Sequence, residues 1–460
     1  MISYKQVRQH HLEHKKMPSP ARGSKILVAG FAVIILIGTA LLRLPVSTTG
    51  SYQVGWVEAL FTATSATTVT GLVVLPTHAT YTLFGQIVIL SLIQVGGMGF
   101  IILSVVLFRL IGRRVSLYER NLLKETLGVE GRGGLVRLTL VVFISTIAVE
   151  MAGAAIMFTQ YVQVLDWPTA LYYSIFHAIS AFCNAGFDLF TGFDDPALIF
   201  TRENPTILIV LSILITIGTL GITVVYDVVA WPREQRLSLH TKIVLPFTLL
   251  LSIVGTILLV FDEAYIDGQA IPFIFTGKNL VLAFFTVVSS RTAGLTLIPV
   301  DLLGEGSQLM LFVWMFIGGA PASMGGGVGL STVAVVLITL QSTVLGYSDV
   351  RIFERTIPVE TIIKAVAVLT VSTALVTGIT LLVILLEPVN LFSIAFEVVS
   401  AFSNTGYSLG ITAGLGTLSR LLIAFTMFWG RLGPLTLVVA LAQRHRQTLI
   451  HYPEERIIIG

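Results

Sequence analysis

The stretch Phe61-Thr62-Ala63-Thr64-Ser65-Ala66-Thr67-Thr68-Val69-Thr70-Gly71-Leu72 returns three more times in the chain, as Phe176 to Phe187, Phe284 to Leu295 and Phe396 to Tyr407. In every copy a Phe stands ten residues before a Gly, and a large apolar residue follows: Gly71-Leu72, Gly186-Phe187, Gly294-Leu295 and Gly406-Tyr407. The Gly spacings are 115, 108 and 112 residues. Internal periodicity of this kind outranks any single motif as a guide to architecture. The unit is much longer than a solenoid repeat, so each copy marks a small module in its own right.

At 460 residues a soluble chain would fold as two or three domains, but 55% hydrophobic against 12% charged residues is far from the soluble average of about 25% charged. The composition is that of an integral membrane protein. The single cysteine, Cys183, excludes an internal disulfide framework and a CxxC metal site. Net charge is only +3, and its distribution is more informative. Clustered Lys and Arg alternate with apolar runs, which membrane topology explains better than nucleic-acid binding. The basic start, with Lys5, Arg8, Lys15, Lys16, Arg22 and Lys25, leads from Ile26 directly into the first repeat. It reads as an uncleaved span rather than a signal peptide, with His10, His11 and His14 in a solvated tail.

Each repeat reads as a long apolar helix, an outer loop, a half-length apolar segment ending at the repeated Gly, and a second long helix. About 20 apolar residues span a bilayer, whereas about 10 to 14 suit a re-entrant segment. The half-length segments are Val54 to Thr67, Thr169 to Phe182, Asn279 to Ser290 and Leu391 to Phe402. The expected fold is all-α and integral to the membrane, with four tandem helix/pore-half-helix/helix modules and eight spans. It divides into a tail (1–25), module 1 (26–112), a loop (113–134), module 2 (135–230), a loop (231–242), module 3 (243–345), a loop (346–361), module 4 (362–443) and a tail (444–460).

Lys and Arg should collect in short cytoplasmic loops. The first tail has 6, Arg109 to Arg137 has 7, and the groups Arg233/Arg236/Lys242, Arg351/Arg355/Lys364 and Arg444/Arg446/Arg456 follow the later modules, accounting for 22 of 28. Both termini are therefore expected in the cytoplasm, and all four half-helices enter from outside. The outer loops collect acids, including Asp188, Asp194, Asp195, Glu203, Asp262, Glu263, Asp267, Asp301 and Glu305. Such a rim attracts cations modestly, although acids are also ordinary loop residues.

The backbone after each half-helix cannot be helical throughout, since Gly and β-branched residues mark a turned or extended segment. Non-helical backbone at membrane depth survives only when buried in protein or lining water. Four related segments meeting on an axis would present a ring of carbonyl oxygens, the chemistry that replaces a cation's hydration shell in potassium filters. Close helix packing of the small-xxx-small type is the competing reading, and it leaves the four half-length segments unexplained. Cys183 and His177 suggest a nucleophile pair on paper, yet no third orienting group accompanies them. The positions matching Cys183 are Thr68, Arg291 and Ser403.

The segments TVTGL, CNAGF, RTAGL and SNTGY, each inside a helix/half-helix/helix unit, resemble the Trk/Ktr/HKT superfamily of potassium transporters. With eight spans and no extra helix pair, the chain is most similar to the membrane subunit of the bacterial Ktr system, from about Ile26 onward. The resemblance implies a pseudo-fourfold pore within one chain in a bacterial cell membrane. K⁺ would be held by carbonyls of Val69, Thr70 and Gly71, of Asn184, Ala185 and Gly186, of Thr292, Ala293 and Gly294, and of Asn404, Thr405 and Gly406, with Thr68, Cys183, Arg291 and Ser403 leading into them. It also implies a homodimer seated on a cytosolic nucleotide-binding ring of the RCK type. That ring would be a separate polypeptide, so a nucleotide would bind the partner and this chain would carry no covalent cofactor.

Glycine pairs three apart recur as Gly96/Gly99, Gly218/Gly221 and Gly430/Gly433. In module 3 the sequence becomes Gly318-Gly319-Ala320-Pro321-Ala322-Ser323-Met324-Gly325-Gly326-Gly327-Val328-Gly329. Each Gly costs about 1 kcal/mol and Pro about 3 relative to Ala in a helix, so that span is expected to break. The stretch resembles the family's intramembrane gating loop, with Gly329 where the family loop often has Lys; a closely packed kinked helix is the alternative. Arg431 falls within the span Leu421 to Ala442, where a charge is expensive, and resembles the family's pore-lining arginine. There a guanidinium would repel K⁺ and donate to loop carbonyls.

Glu150 has no evident acidic counterpart in the other modules and is assigned no role. Arg291 is expected to pair with an outer acid, and Glu58 and Glu397 to brace their half-helices. A membrane-embedded enzyme would need more convergent titratable groups than Glu150, Cys183 and His177 provide. A broken-helix carrier would show inverted repeats, whereas an even number of spans per module keeps all four in one orientation. K⁺ over Na⁺ preference, a Na⁺-permeable or Na⁺-coupled alternative, and Na⁺ as an activator stay open at this level.

Overall fold

The computed structural model describes residues 20–99, 135–190, 196–266, 269–272, 277–347 and 349–433, with isolated positions between 102 and 109. The first 19 residues, the loop 113–134, the acids Asp194, Asp195 and Asp267, and everything from Pro434 on lie outside the described residues.

Four long helices open the four repeats: α1 (Pro20–Leu42), α4 (Leu135–Tyr161), α8 (Leu239–Phe261) and α12 (Val359–Ile384). Each contains a stretch long and apolar enough to cross a membrane. Leu36, Ile144, Leu249 and Leu381 on these helices are each more than half exposed, a surface that suits lipid and not water.

The half-length segments form α2 (Trp56–Thr67), α5 (Trp167–Phe182), α9 (Gly277–Thr292) and α13 (Leu391–Ser403). Asp166 starts α5 by accepting from the Thr169 amide, and Asn390 starts α13 by accepting from that of Ser393 at 2.8 Å; both satisfy amides that a helix start leaves unpaired. These helices are the core of the protein: Phe61, Phe176 and Phe396 are at most 1% exposed. In the third copy the fully buried ring is Phe285 rather than Phe284. α9 also runs through Thr292, the position at which the other three half-helices have already ended. The third copy is therefore shifted by one residue, a difference that Phe-to-Gly counting hides.

The return limbs are shorter than the sequence pattern implies. α3 (Leu83–Met98), α6 (Pro205–Leu220), α10 (Glu305–Ile317) and α14 (Thr417–Leu432) all stop at a glycine with positive φ: Gly99 at +81°, Gly221 at +79°, Gly318 at +68° and Gly433 at +81°. The chain resumes as α7 (Ile222–Glu234) after Gly221 and as α11 (Leu330–Val344) after residues 318–329. A stop at a positive-φ glycine is thus common to all four limbs, where composition pointed only to the third.

Each long helix packs on the half-helix of its own repeat, α1 on α2, α4 on α5, α8 on α9 and α12 on α13. Each return helix packs on the half-helix that follows: α3 on α5, α6 on α9, α10 on α13, and α14 back on α2. An ion pair, Arg420 to Glu58 at 2.7 Å, ties this last contact. Each return helix also lies against the half-helix of its own repeat, where Gly96, Gly218 and Gly430 allow the close approach: a Cβ on any of them would collide with a terminal carbonyl of that half-helix, at Thr67, Phe182 and Phe402 respectively. Two antiparallel hairpins, Glu263–Ile266 with Gln269–Pro272 and Arg351–Ile352 with Arg355–Thr356, lie in connections away from this centre.

Candidate functional site

Beyond each half-helix the chain turns sharply while its amides stay tied to the helix end. The amides of Thr70, Ala185 and Thr405 donate to the carbonyls of Ser65, Ser180 and Ser400 at 2.8 to 3.0 Å, and in the shifted third copy Gly294 donates to Ser289 at 2.9 Å. Val69, Asn184 and Asn404 take left-handed φ values of +53°, +56° and +52°. Asn tolerates that region, but a β-branched Val there is an outlier, and such strain persists only where the surroundings impose it. The repeated glycines follow with φ of +87°, +69°, +64° and +100°. No donor among the described residues reaches the carbonyls of Thr70, Ala185, Ala293 or Thr405. All four residues are fully buried.

These carbonyls close a ring. A Cβ on Gly71 would lie 2.7 Å from the Ala185 oxygen, and one on Gly186 would lie 2.6 Å from that of Ala293. On Gly294 it would strike the Thr405 oxygen, and on Gly406 that of Thr70. Only a residue without Cβ fits at any of the four. Side chains brace the ring from behind: Thr68 with Thr70 at 2.7 Å, Ser403 with Thr405 at 2.8 Å, and Asn404 Nδ2 donating to Thr70 Oγ1 at 2.9 Å. Thr219 on α6 meets Thr292 at 2.8 Å.

The non-helical run from Gly318 to Gly329 lies against this ring. A Cβ on Gly319 would come within 3.3 Å of the Thr292 methyl, and one on Gly325 or Gly326 would strike Thr292 or the Asn404 amide oxygen. The run is stitched to the end of α6 on its other side, with Ala320 N donating to Thr219 O and Met324 N to Gly218 O, both at 3.0 Å. Arg431, on the last turn of α14, donates to Met324 O, and its Nη2 reaches Gly96 O at 2.5 Å and Gly97 O at 2.8 Å. Those α3 carbonyls are unpaired within the helix because α3 stops at Gly99. The break in one limb thus supplies the acceptors for the arginine of another.

Arg291 differs from its expected partner. Its guanidinium points inward, donating through Nη2 to Gly318 O at 3.3 Å, and is 3% exposed; among the described residues no outer carboxylate pairs with it. The first position of the third copy therefore braces the end of α10. Glu397 accepts from Ser408 at 2.8 Å and from Thr412, which fastens the loop after the fourth copy. Glu150 is buried behind the second copy and accepts from Gln94 Nε2 on both carboxyl oxygens, at 3.2 and 3.0 Å, with the Cys183 thiol 3.8 Å from Oε1. His177 Nδ1 meets Tyr173 O at 2.7 Å, Nε2 accepts from Leu189 N, and the ring stacks on Phe190. Cys183 and His177 make no mutual contact among the described residues and belong to separate structural networks.

The site is a ring of buried backbone carbonyl oxygens, in a chain whose long helices are apolar enough to cross a bilayer. The chain belongs to the TrkH family, described as cation transport proteins, whose profile matches residues 1–451. It is 38% identical over 437 residues to the Ktr system potassium uptake protein B of Bacillus subtilis (strain 168), covering 95% of this chain and 96% of the relative. It is 36% identical over 440 residues to the protein of the same description in Vibrio alginolyticus, covering 95% and 94%. The potassium/sodium uptake protein NtpJ of Enterococcus hirae is 32% identical, over 97% and 98%. The crystal structure of the potassium transporter TrkH from Vibrio parahaemolyticus superposes with a TM-score of 0.70 at 18% identity, over 93% of this chain and 86% of that one, and shares the fold. These relatives are ion transporters and not enzymes.

Proposed function

We propose that this chain is the ion-translocating subunit of a potassium uptake system. K⁺ enters through a pseudo-fourfold filter made by the carbonyls of 69–71, 184–186, 292–294 and 404–406, within eight spans whose two ends face the cytoplasm. The run 318–329 closes the path beneath the filter, and Arg431 holds it there. The observation that carries the reading is the closed sequence of glycine-to-carbonyl contacts through Gly71, Gly186, Gly294 and Gly406. A ring of fixed carbonyl dipoles replaces the water shell of a monovalent cation. The homodimer and the cytosolic nucleotide-binding ring rest on the family resemblance. Potassium is favoured over sodium because the two relatives named for potassium alone are more similar than the one named for both.

The test is K⁺ uptake in a bacterium stripped of its own K⁺ systems, comparing wild type with Gly294→Ser, each with Na⁺ present and absent. Growth at low K⁺ that the substitution weakens or makes Na⁺-permeable supports the filter. Failure to rescue with the protein present in the membrane and a ring subunit co-expressed would overturn the reading.

A further inference from the structure

An apolar cavity of about 190 Å³ lies between α4, the α6/α7 break and the run 318–329. Its walls include Val142 and Val149 of α4, Ile222 and Val225 of α7, and Ser323 and Met324 of the run. The cavity opens outward past Val141, Tyr226 and Val229, which are 54%, 54% and 73% exposed. Two of its few polar groups are already paired: Ser145 donates to Val142 O at 2.9 Å, and Ser323 Oγ accepts from the Gly325 amide at 3.2 Å. Such a site offers water too few partners to hold it. At this place in the protein the surrounding solvent is lipid, since α4 carries a membrane-length apolar stretch from Thr139 to Tyr161.

We propose that an acyl chain of an anionic phospholipid occupies this cavity and restrains the 318–329 run; the restraint rests on reading that run as the gate. The lipid's orientation follows from α7. Val225 and Val229 line the cavity, and within about one turn after Val229 on the same helix come Trp231 and Arg233, with Arg236 just beyond the helix end, all exposed. At a rise of about 1.5 Å per residue, Arg233 stands about 12 Å beyond Val225. An interfacial Trp beside basic residues is where an anionic headgroup settles, and a chain descending from it runs along α7 into the opening.

The restraint follows from what surrounds the run. Arg431 holds Met324 O on the pore side, and the α6 end holds Ala320 N and Met324 N. The cavity is free volume behind Ser323 and Met324, into which the run retreats when it clears the path. A chain in that volume blocks the retreat and, on leaving, permits it, so flux falls as occupancy rises, and a side chain fixed there lowers it further.

The experiment uses the full-length protein in proteoliposomes containing a phosphatidylglycerol with a diazirine partway along one chain. Photolysis is expected to label residues 141–149 and 225–229 well above the exposed Leu381 and Leu382 of α12. Ser145→Trp and Val149→Phe, which fill the cavity from different turns of α4, are expected to remove most of that label, leave α12 labelling unchanged and lower K⁺ flux severalfold. Labelling no richer than on α12 would mean annular lipid only and would overturn the site. So would cross-linking of the cavity to a second copy or to residues 100–134. Label lost from both variants with flux unchanged at equal membrane abundance would overturn the restraint. A variant shortened by deletion of Gly325 to Gly327, run in parallel at equal membrane abundance, separates the two readings: if it leaves K⁺ flux unchanged, the run is not the gate and the restraint falls with it, while the labelling still decides the acyl-chain site.

Discussion

Arg431 and Met324, 107 residues apart, are joined by a hydrogen bond from the guanidinium Nη1 to the Met324 carbonyl. The same guanidinium holds Gly96 O and Gly97 O through Nη2, so one planar fork links α14, the 318–329 run and the end of α3. Hydrogen bonds from a charged donor contribute about 1.5–3 kcal/mol each. With the run acting as the gate proposed above, losing the fork should shift its opening by about tenfold or more, since 1.4 kcal/mol is a factor of ten. Arg431→Gln is expected to raise K⁺ efflux from preloaded vesicles by that order, and Arg431→Lys to fall between, because an ammonium cannot reproduce the fork. Efflux equal to wild type in Arg431→Gln would remove the arginine from gating.

Gly294 sits at φ +64° with the Thr405 carbonyl and Gly406 Cα where its Cβ would be. A side chain there must displace backbone that itself forms the ring, so Gly294→Ala should lower K⁺ uptake at low external K⁺ by about tenfold or more, and raise Na⁺ entry as the carbonyls lose their spacing. Gly378→Ala is the control, because nothing lies within 4 Å of its Cβ position; its uptake should match wild type.

The ring and the core were legible in the sequence because the constraint behind them is local. A backbone that must turn at Gly71, Gly186, Gly294 and Gly406 cannot hide its glycines, and long apolar runs announce α1, α4, α8 and α12. The breaks at Gly99, Gly221 and Gly433 were not legible. A lone Gly in an apolar run costs only about 1 kcal/mol, and the acceptors that reward breaking there, such as Gly96 O for Arg431, belong to contacts far apart in sequence. The inward turn of Arg291 toward Gly318 O was hidden for the same reason. An outer acid was the natural partner until the end of α10, 27 residues on, supplied an unpaired carbonyl.

The seam between the last repeat and the first rests on Arg420 and Glu58, 2.7 Å apart, with side chains 16% and 22% exposed. Arg420 also donates to Ala413 O at 2.9 Å. A pair this sheltered lies between the exposed and buried cases, so removing either partner should cost about 1–2 kcal/mol. Thermal unfolding in detergent should show Glu58→Gln and Arg420→Gln each lowering Tm. The double variant should be less destabilised than the two losses added, as expected for residues in contact. Additive losses would mean the two side chains act separately.

The cluster behind Cys183 is a buried hydrogen-bond network with one dominant donor. Gln94 Nε2 serves both oxygens of Glu150, and the Cys183 thiol lies 3.5 Å from Gln94 Oε1. Glu150 is completely buried, so a carboxyl deprived of that donor has no water to turn to. Leaving a buried polar group unsatisfied costs about 1–3 kcal/mol, whereas an isosteric exchange that keeps its partners costs less. Gln94→Leu should therefore lower Tm more than Glu150→Gln, in which the two amides still pair by rotating one of them, and Cys183→Ala should lower it least, since a thiol is a weak donor. The reverse order, with Glu150→Gln the most damaging, would show that the carboxylate is held by a charge rather than by Gln94. Arg431, whose fork ends on the neighbouring Gly96 and Gly97 carbonyls, would then be its partner.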